Sequence, residues 1–148
     1  MEIELMAQGH PYREKAIGFA ERSAWRAGPY LARMMRANDF LPWERVILAR
    51  EGDVLLGYCT LTAHDEMPPE RGLSPFIGFV YVDPAARGQR ISEKMIGRAA
   101  AYATSLGYAA LYLMSGEKGL YEKYGFAPMG EYDTIFGTRD QLFSRQLG

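Results

Sequence analysis

Cysteine is nearly absent from this chain. One residue, Cys59, among 148 excludes an intrachain disulfide and fits a reducing compartment. It lies in an apolar, strand-like run, so a buried inert thiol is expected rather than a nucleophile. Histidine is also scarce. His10 and His64 have no second histidine or cysteine at ligand spacing, so no metal site is expected. No apolar run is long enough to span a bilayer. The N-terminus alternates acidic and apolar residues, unlike a signal peptide, and a cytoplasmic protein is the default expectation. The net charge of −1 gives no bulk attraction to nucleic acid or to an anionic membrane. The chain lacks the Gly-Lys-Ser/Thr ending of an ATP-binding loop and the three spaced glycines of a dinucleotide fold, which argues against kinase and dehydrogenase chemistry. Ser105 and Ser144 have no histidine–carboxylate context, so serine hydrolysis has no support.

The remaining composition is that of a globular protein, 48% hydrophobic and 24% charged, with a length that suits one domain over residues 1–148. Tyrosine is abundant, with 10 residues. The patterning predicts a strand at 2–7, a helix over 11–25 broken by Gly28-Pro29, and a short helix over 30–37. Strands follow at 43–49 and 54–63, joined by the hairpin signal Glu51-Gly52-Asp53. Residues 64–75 read as a loop, and 76–82 as a central strand, apolar throughout. Ile91, Met95, Ile96, Ala99, Ala103 and Leu106 mark a long amphipathic helix ended by Gly107. A strand at 109–114, a short helix at 116–124 and two strands at 131–136 and 141–147 complete the order β-α-α-β-β-β-α-β-α-β-β. This is an α/β layer fold with a mixed sheet.

The most informative stretch runs from Val80 to Ser92. A strand ends in Val82-Asp83-Pro84, a turn holds Arg87, Gly88, Gln89 and Arg90, and a helix pattern begins at Ile91. That order puts backbone N–H groups and a positive helix end at the mouth of a strand, an arrangement that holds pyrophosphate. The turn is a candidate cradle for a nucleotide-like cofactor. Farther on, Leu120-Tyr121-Glu122-Lys123-Tyr124-Gly125-Phe126 forms a second distinctive box.

The two pieces, in order and with helix and strand between them, resemble the GCN5-related N-acetyltransferase family. The family's cofactor turn follows Q/R-x-x-G-x-G/A after a strand ending in V-x-P. Arg87 fills its first position, and Arg90 and Ser92 stand at its two small positions. In the first turn of a helix a residue such as Arg90 can keep helical dihedrals without strain, and its guanidinium can swing to a phosphate. The second box is similar to the family's Y-E-K-x-G-F. The resemblance implies a three-layer α/β fold, with a mixed, mostly antiparallel sheet of six or seven strands flanked by about four helices. It also implies transfer of an acetyl group from acetyl-CoA to a primary amine, by direct transfer in a ternary complex.

Carried over by position, the backbone of Val80, Tyr81 and Val82 would hold the pantetheine and the thioester carbonyl. Arg87, Gly88, Gln89, Arg90, Ile91 and Ser92 would hold the pyrophosphate. Tyr121 matches the family's proton donor to the departing thiolate; its alternative is an aromatic packed on the core. A phenol with an ordinary pKa of ~10 is protonated at neutral pH and can serve as an acid. His64, Asp65, Glu66 and Ser115 are the candidates for a general base. His64 reads more readily as an exposed loop histidine, and Asp65 and Glu66 as solvated charges or a lure for a cationic amine. Tyr124 reads as structural.

The acceptor pocket is expected between the first two helices and the loop 64–75, which carries Asp65, Glu66 and Glu70 against Arg71. Trp25, Tyr30, Trp43 and Tyr132 are candidate lining residues. Acidic groups with aromatics suit a small cationic amine. A protein N-terminus or lysine as acceptor, and a non-catalytic acyl-CoA-binding module, are the alternatives. The late hydrophobics Leu142, Phe143 and Leu147 would permit a homodimer.

Overall fold

Seven strands and three helices account for most of the chain in the computed structural model, which describes residues 1–148 apart from the side chain of Glu70. The elements are β1 (Glu2–Met6), α1 (Arg13–Glu21), α2 (Ala27–Ala37), β2 (Arg45–Glu51), β3 (Val54–Thr62), β4 (Phe76–Val82), α3 (Ile91–Ser105), β5 (Ala110–Ser115), β6 (Ala127–Asp133) and β7 (Arg139–Gln146). The strand order is β1-β2-β3-β4-β5-β7-β6. The pairs β1–β2, β5–β7 and β6–β7 are antiparallel, and β4–β5 is parallel with Phe76 opposite Tyr112. The sheet is mixed and mostly antiparallel, as the resemblance implies.

The chain divides into two compact units. The first holds residues 1–60 and 79–98, the second residues 61–78 and 99–148.

In the first unit, α1 supplies Ala16, Ile17 and Ala20 and α2 supplies Leu31, Ala32 and Met35 to a core shared with Val46, Leu48, Tyr58 and Tyr81. The α1 helix is shorter than its periodicity predicts. The Ser23 hydroxyl turns back to the Phe19 carbonyl at 2.9 Å and its amide to Ala20 O at 3.1 Å, which closes the helix and leaves Trp25 in the connection. Gly28-Pro29 does not break the helical run as expected. Both lie in the first turn of α2, where a proline's missing N–H costs nothing. Gly28 is required by packing, since a Cβ there would fall on the Ala20 carbonyl and 3.2 Å from the Tyr58 hydroxyl.

In the second unit, Met67, Phe76, Met114 and Leu142 form a core flanked by Leu73, Tyr112 and Tyr132. Cys59, the last but one residue of the first unit's share of β3, is fully buried, and burial pushes its thiol pKa up. The expected short helix at 116–124 is absent. Glu117 N–H donates to Ser115 Oγ at 3.0 Å and Gly119 takes φ 84°, so only a single tight turn, Tyr121–Tyr124, remains before Gly125. Among the described residues the α-helices therefore number three, not about four. Residues 131–136 form a strand only as far as Asp133. The bond from Thr134 N–H to Thr138 O, at 2.8 Å, turns the chain there and leaves Ile135 and Phe136 at an exposed tip. Leu142 and Phe143 are 1% and 2% exposed, so these two side chains belong to the core rather than to an association surface.

Candidate functional site

β4 is apolar because it runs through the middle of the sheet order, and its end delivers the candidate cofactor turn. Within the first unit, Val80 and Val82 are half-buried and Tyr81 is buried. Phe79 departs from strand geometry with φ 51°, a left-handed value that a non-glycine residue adopts at a cost of roughly 1–3 kcal/mol. Its ring stacks on Tyr30 at 6.0 Å and 19°. Tyr81 stacks on Trp25 at 5.5 Å and on Tyr58 at 5.2 Å. The Tyr58 hydroxyl accepts from Trp25 Nε1 at 2.6 Å and donates to Ser23 Oγ at 3.0 Å. The two expected acceptor aromatics thus both pack on β4. Trp25 is half-buried in the aromatic core, while Tyr30 is 43% exposed, with Arg33 over its ring.

After Val82 the Asp83 carboxylate caps a tight turn through Ala85 N–H at 2.9 Å, with Pro84 at its first position. Arg87, Gly88, Gln89 and Arg90 are exposed, and Ile91 is buried as the first residue of α3. Gly88 has φ 89° and open space where a Cβ would stand. Arg87 Nε donates to the Val82 carbonyl at 3.2 Å, and Gln89 Nε2 to the Ala86 carbonyl at 3.2 Å. These bonds hold the turn from within. Arg90 corrects the sequence expectation, because it lies before the first turn of α3 with φ 60° and does not keep helical dihedrals. The chain swings into the helix through this residue, a conformation that favours glycine by about 1 kcal/mol. Its side chain is 81% exposed and touches Glu93 at 3.4 Å. Residues 87–92 come together at the N-terminus of a 15-residue helix, whose first amides have no intrahelical acceptor. Such a turn can hold a dianion through backbone donors and an exposed guanidinium.

In the second unit, Tyr121 is 5% exposed. Its ring meets Phe143 at 5.8 Å, Tyr124 at 6.1 Å and Phe126 at 6.3 Å. The loop residues differ from their sequence reading. His64 is half-buried rather than exposed, and among the described residues its Nδ1 has no hydrogen-bond partner. Asp65 and Glu66 are half-buried rather than solvated. Asp65 has φ 48°, and its carboxyl lies against the backbone of Gly78 on β4. Burial, and next the charge of Glu66, push the Asp65 carboxyl up to about 7. Burial also raises Glu66, helped by the neighbouring Asp140 carboxyl, with which it shares a hydrogen bond. No sequence pattern announces Asp140, which lies on β7, far from Glu66 in sequence. The Ser115 hydroxyl serves the turn, as described above. Arg71 lies over the Tyr132 ring at 5.0 Å, while the Glu70 side chain lies outside the described residues. Trp43 is half-buried in the first unit. Among the described residues no group of three His, Cys, Asp or Glu is placed to hold a metal ion, and no helix is long and apolar enough to cross a membrane.

Residues 7–126 match the model of the acetyltransferase (GNAT) family. No curated protein matches the sequence. Among solved structures, the chain is similar to an aminoglycoside 6'-N-acetyltransferase from Enterococcus faecium, with 15% identity, 99% of this chain and 97% of that one covered, and a TM-score of 0.75. It is also similar to an aminoglycoside 6'-N-acetyltransferase complexed with coenzyme A, at 14% identity, 99% and 97% coverage and a TM-score of 0.72. A third is a GNAT family acetyltransferase from Elizabethkingia anophelis with acetyl-CoA bound, at 17% identity, 99% and 97% coverage and a TM-score of 0.65.

Proposed function

Because the chain belongs to the acetyltransferase (GNAT) family, we propose that it moves an acetyl group from acetyl-CoA to the primary amine of a small molecule, by direct attack in a ternary complex and with residues 1–148 as one catalytic domain. The observation that carries this reading is the turn from Val82 to α3, with Gly88 and Arg90 both at positive φ and the helix N-terminus directly behind them. Its residues fit a pyrophosphate: backbone donors without a blocking Cβ at Gly88, and an exposed guanidinium at Arg90. In this role Arg87, Gly88, Gln89, Arg90, Ile91 and Ser92 hold the diphosphate, and the backbone of Val80, Tyr81 and Val82 orients the acyl arm. Acetyl-CoA supplies the activated acyl group. Two of the similar structures are named as aminoglycoside acetyltransferases, which supports a small-molecule amine.

The chemistry asks the protein for four things: a neutral amine, a polarised carbonyl, close approach and a proton for the leaving thiolate. Tyr121 is the residue we assign to that last proton. Trp25 and Tyr30 are the assigned aromatic contacts of the acceptor, with Asp65 and Glu66 drawing in its positive charge.

The test is thiol release from acetyl-CoA in the presence of kanamycin, spermidine, histamine or an N-terminal peptide. The reading predicts turnover with at least one of the first three and not with the peptide. Acetyl-CoA binding with no release for any amine would instead support a non-catalytic acyl-CoA-binding module.

A further inference from the structure

Tyr58, on β3 in the first unit, is a core residue with a polar task. Its ring is buried, yet its hydroxyl reaches the connection between α1 and α2, where Trp25 lies. Residues 23–25 belong to no helix or strand, so no regular backbone ladder holds them. The Ala24 amide reaches the Tyr81 hydroxyl at 3.4 Å, beyond the usual range for such a bond. Side-chain contacts therefore fix the Trp25 indole. An indole has a single donor, and here it is committed to the Tyr58 hydroxyl at 2.6 Å.

That bond is the first link of a chain with a fixed direction. Trp25 Nε1 can only donate, and the Phe19 carbonyl can only accept. Between them the Tyr58 hydroxyl donates to Ser23 Oγ at 3.0 Å, and the Ser23 hydroxyl donates to the Phe19 carbonyl at 2.9 Å. Both hydroxyl protons must therefore point away from the indole, toward the end of α1. Burial pushes the Tyr58 phenol up, so it keeps its proton at neutral pH. Space for the hydroxyl comes from Gly28, where a Cβ would stand 3.2 Å from it. Tyr81 completes the arrangement, since its ring stacks on both Trp25 and Tyr58. All of these residues lie in the first unit.

Resting on the reading given above, in which Trp25 contacts the acceptor, we propose that Tyr58 is a positioning residue for the acceptor amine, acting through its hydroxyl on the Trp25 indole. Tyr58 touches no substrate in this role. It holds the indole against Tyr81, so that one fixed aromatic surface meets the amine. Removing the hydroxyl takes the shared partner from Trp25 Nε1 and Ser23 Oγ at once, while the ring stack between positions 58 and 81 remains. The indole is then free to turn. The loss falls on the amine's KM, because the contact is the same in the ground state and the transition state.

The experiment compares wild type, Tyr58→Phe, Trp25→Phe and the double variant. KM and kcat are measured with the amine of the panel that wild type uses fastest, and acetyl-CoA affinity by calorimetry. The expected result for Tyr58→Phe is an amine KM raised about three- to tenfold, with kcat and acetyl-CoA affinity unchanged. In the Trp25→Phe background the same change should have no further effect on KM, because the group it acts through is gone. A spectroscopic arm uses Trp43→Phe, which leaves Trp25 as the one tryptophan. There, Tyr58→Phe should shift the emission to the red as the indole gains solvent. Ser23→Ala breaks the chain one link farther on, and should raise KM in the same direction even if Tyr58→Phe folds poorly. A KM within twofold of wild type in the folded variants, a loss confined to kcat, an equal effect without Trp25, or unchanged emission overturns the assignment while the acetyltransferase reading stands. A folded wild type that acetylates no amine overturns that reading and the positioning role with it.

Discussion

Asp65, Arg90 and Tyr121 are where this account is most exposed to experiment. The Asp65 carboxyl titrates near 7 in the folded chain and near 3.9 when unfolded, so between these values the folded state holds the extra proton. Its contribution to stability is complete below about pH 4 and is lost as pH rises through about 7. Asp65→Asn should therefore be more stable than wild type at pH 8, by roughly 1–3 kcal/mol, and close to wild type at pH 4. Urea denaturation at the two pH values checks the sign. Arg90 occupies a conformation that glycine adopts freely. Arg90→Gly should fold with a stability equal to wild type or up to about 1 kcal/mol higher, by the same denaturation, while weakening acetyl-CoA. Tyr121 is packed among Phe143, Tyr124 and Phe126, so Tyr121→Phe preserves the ring contacts and removes only the hydroxyl. The proton-donor role predicts a fall in kcat of about tenfold or more with unchanged acetyl-CoA affinity. Unchanged kcat would leave Tyr121 as a core aromatic and nothing else.

At the scale of elements, much of the fold was legible because burial writes itself into periodicity. β4 has the predicted bounds, since an apolar run flanked by Pro75 and Asp83-Pro84 has little room to shift. α3 ends within a residue of its predicted end, with Gly107 at φ 94° behind it. One misreading arose where packing overruled a local signal. Gly28-Pro29 reads as a breaker, yet the close approach of α2 to the Ala20 carbonyl needs that glycine and the helix start tolerates the proline. Gly28→Ala should consequently destabilise the protein by about 1–3 kcal/mol, seen as a lower urea midpoint with unchanged helix content by circular dichroism. The front of the predicted helix at 116–124 failed for a local reason, since Gly119 at φ 84° and the bond from Glu117 N–H to Ser115 Oγ turn the chain there. The turn before α3 was visible from its order of strand, turn and helix. The burial of Asp65 and Glu66 was not, because it depends on Gly78 and Asp140, which are distant in sequence.

At the scale of the whole molecule, the family match covers residues 7–126 and takes in both specific motifs except the strands that follow. Those last strands still shape the candidate chemistry, since β7 brings Asp140 to Glu66 and Phe143 to Tyr121. The central claim is that the turn before α3 binds acetyl-CoA even though arginine stands where glycine would be free of strain. Calorimetric titration of the purified protein with acetyl-CoA, with ATP as a control, tests it most directly. The account predicts saturable binding of acetyl-CoA, weakened about tenfold when the Arg90 charge is removed by Arg90→Gln, and weaker or absent binding of ATP. A folded protein that takes up no acetyl-CoA, or one whose affinity is the same with and without the Arg90 charge, would contradict the role given to this turn.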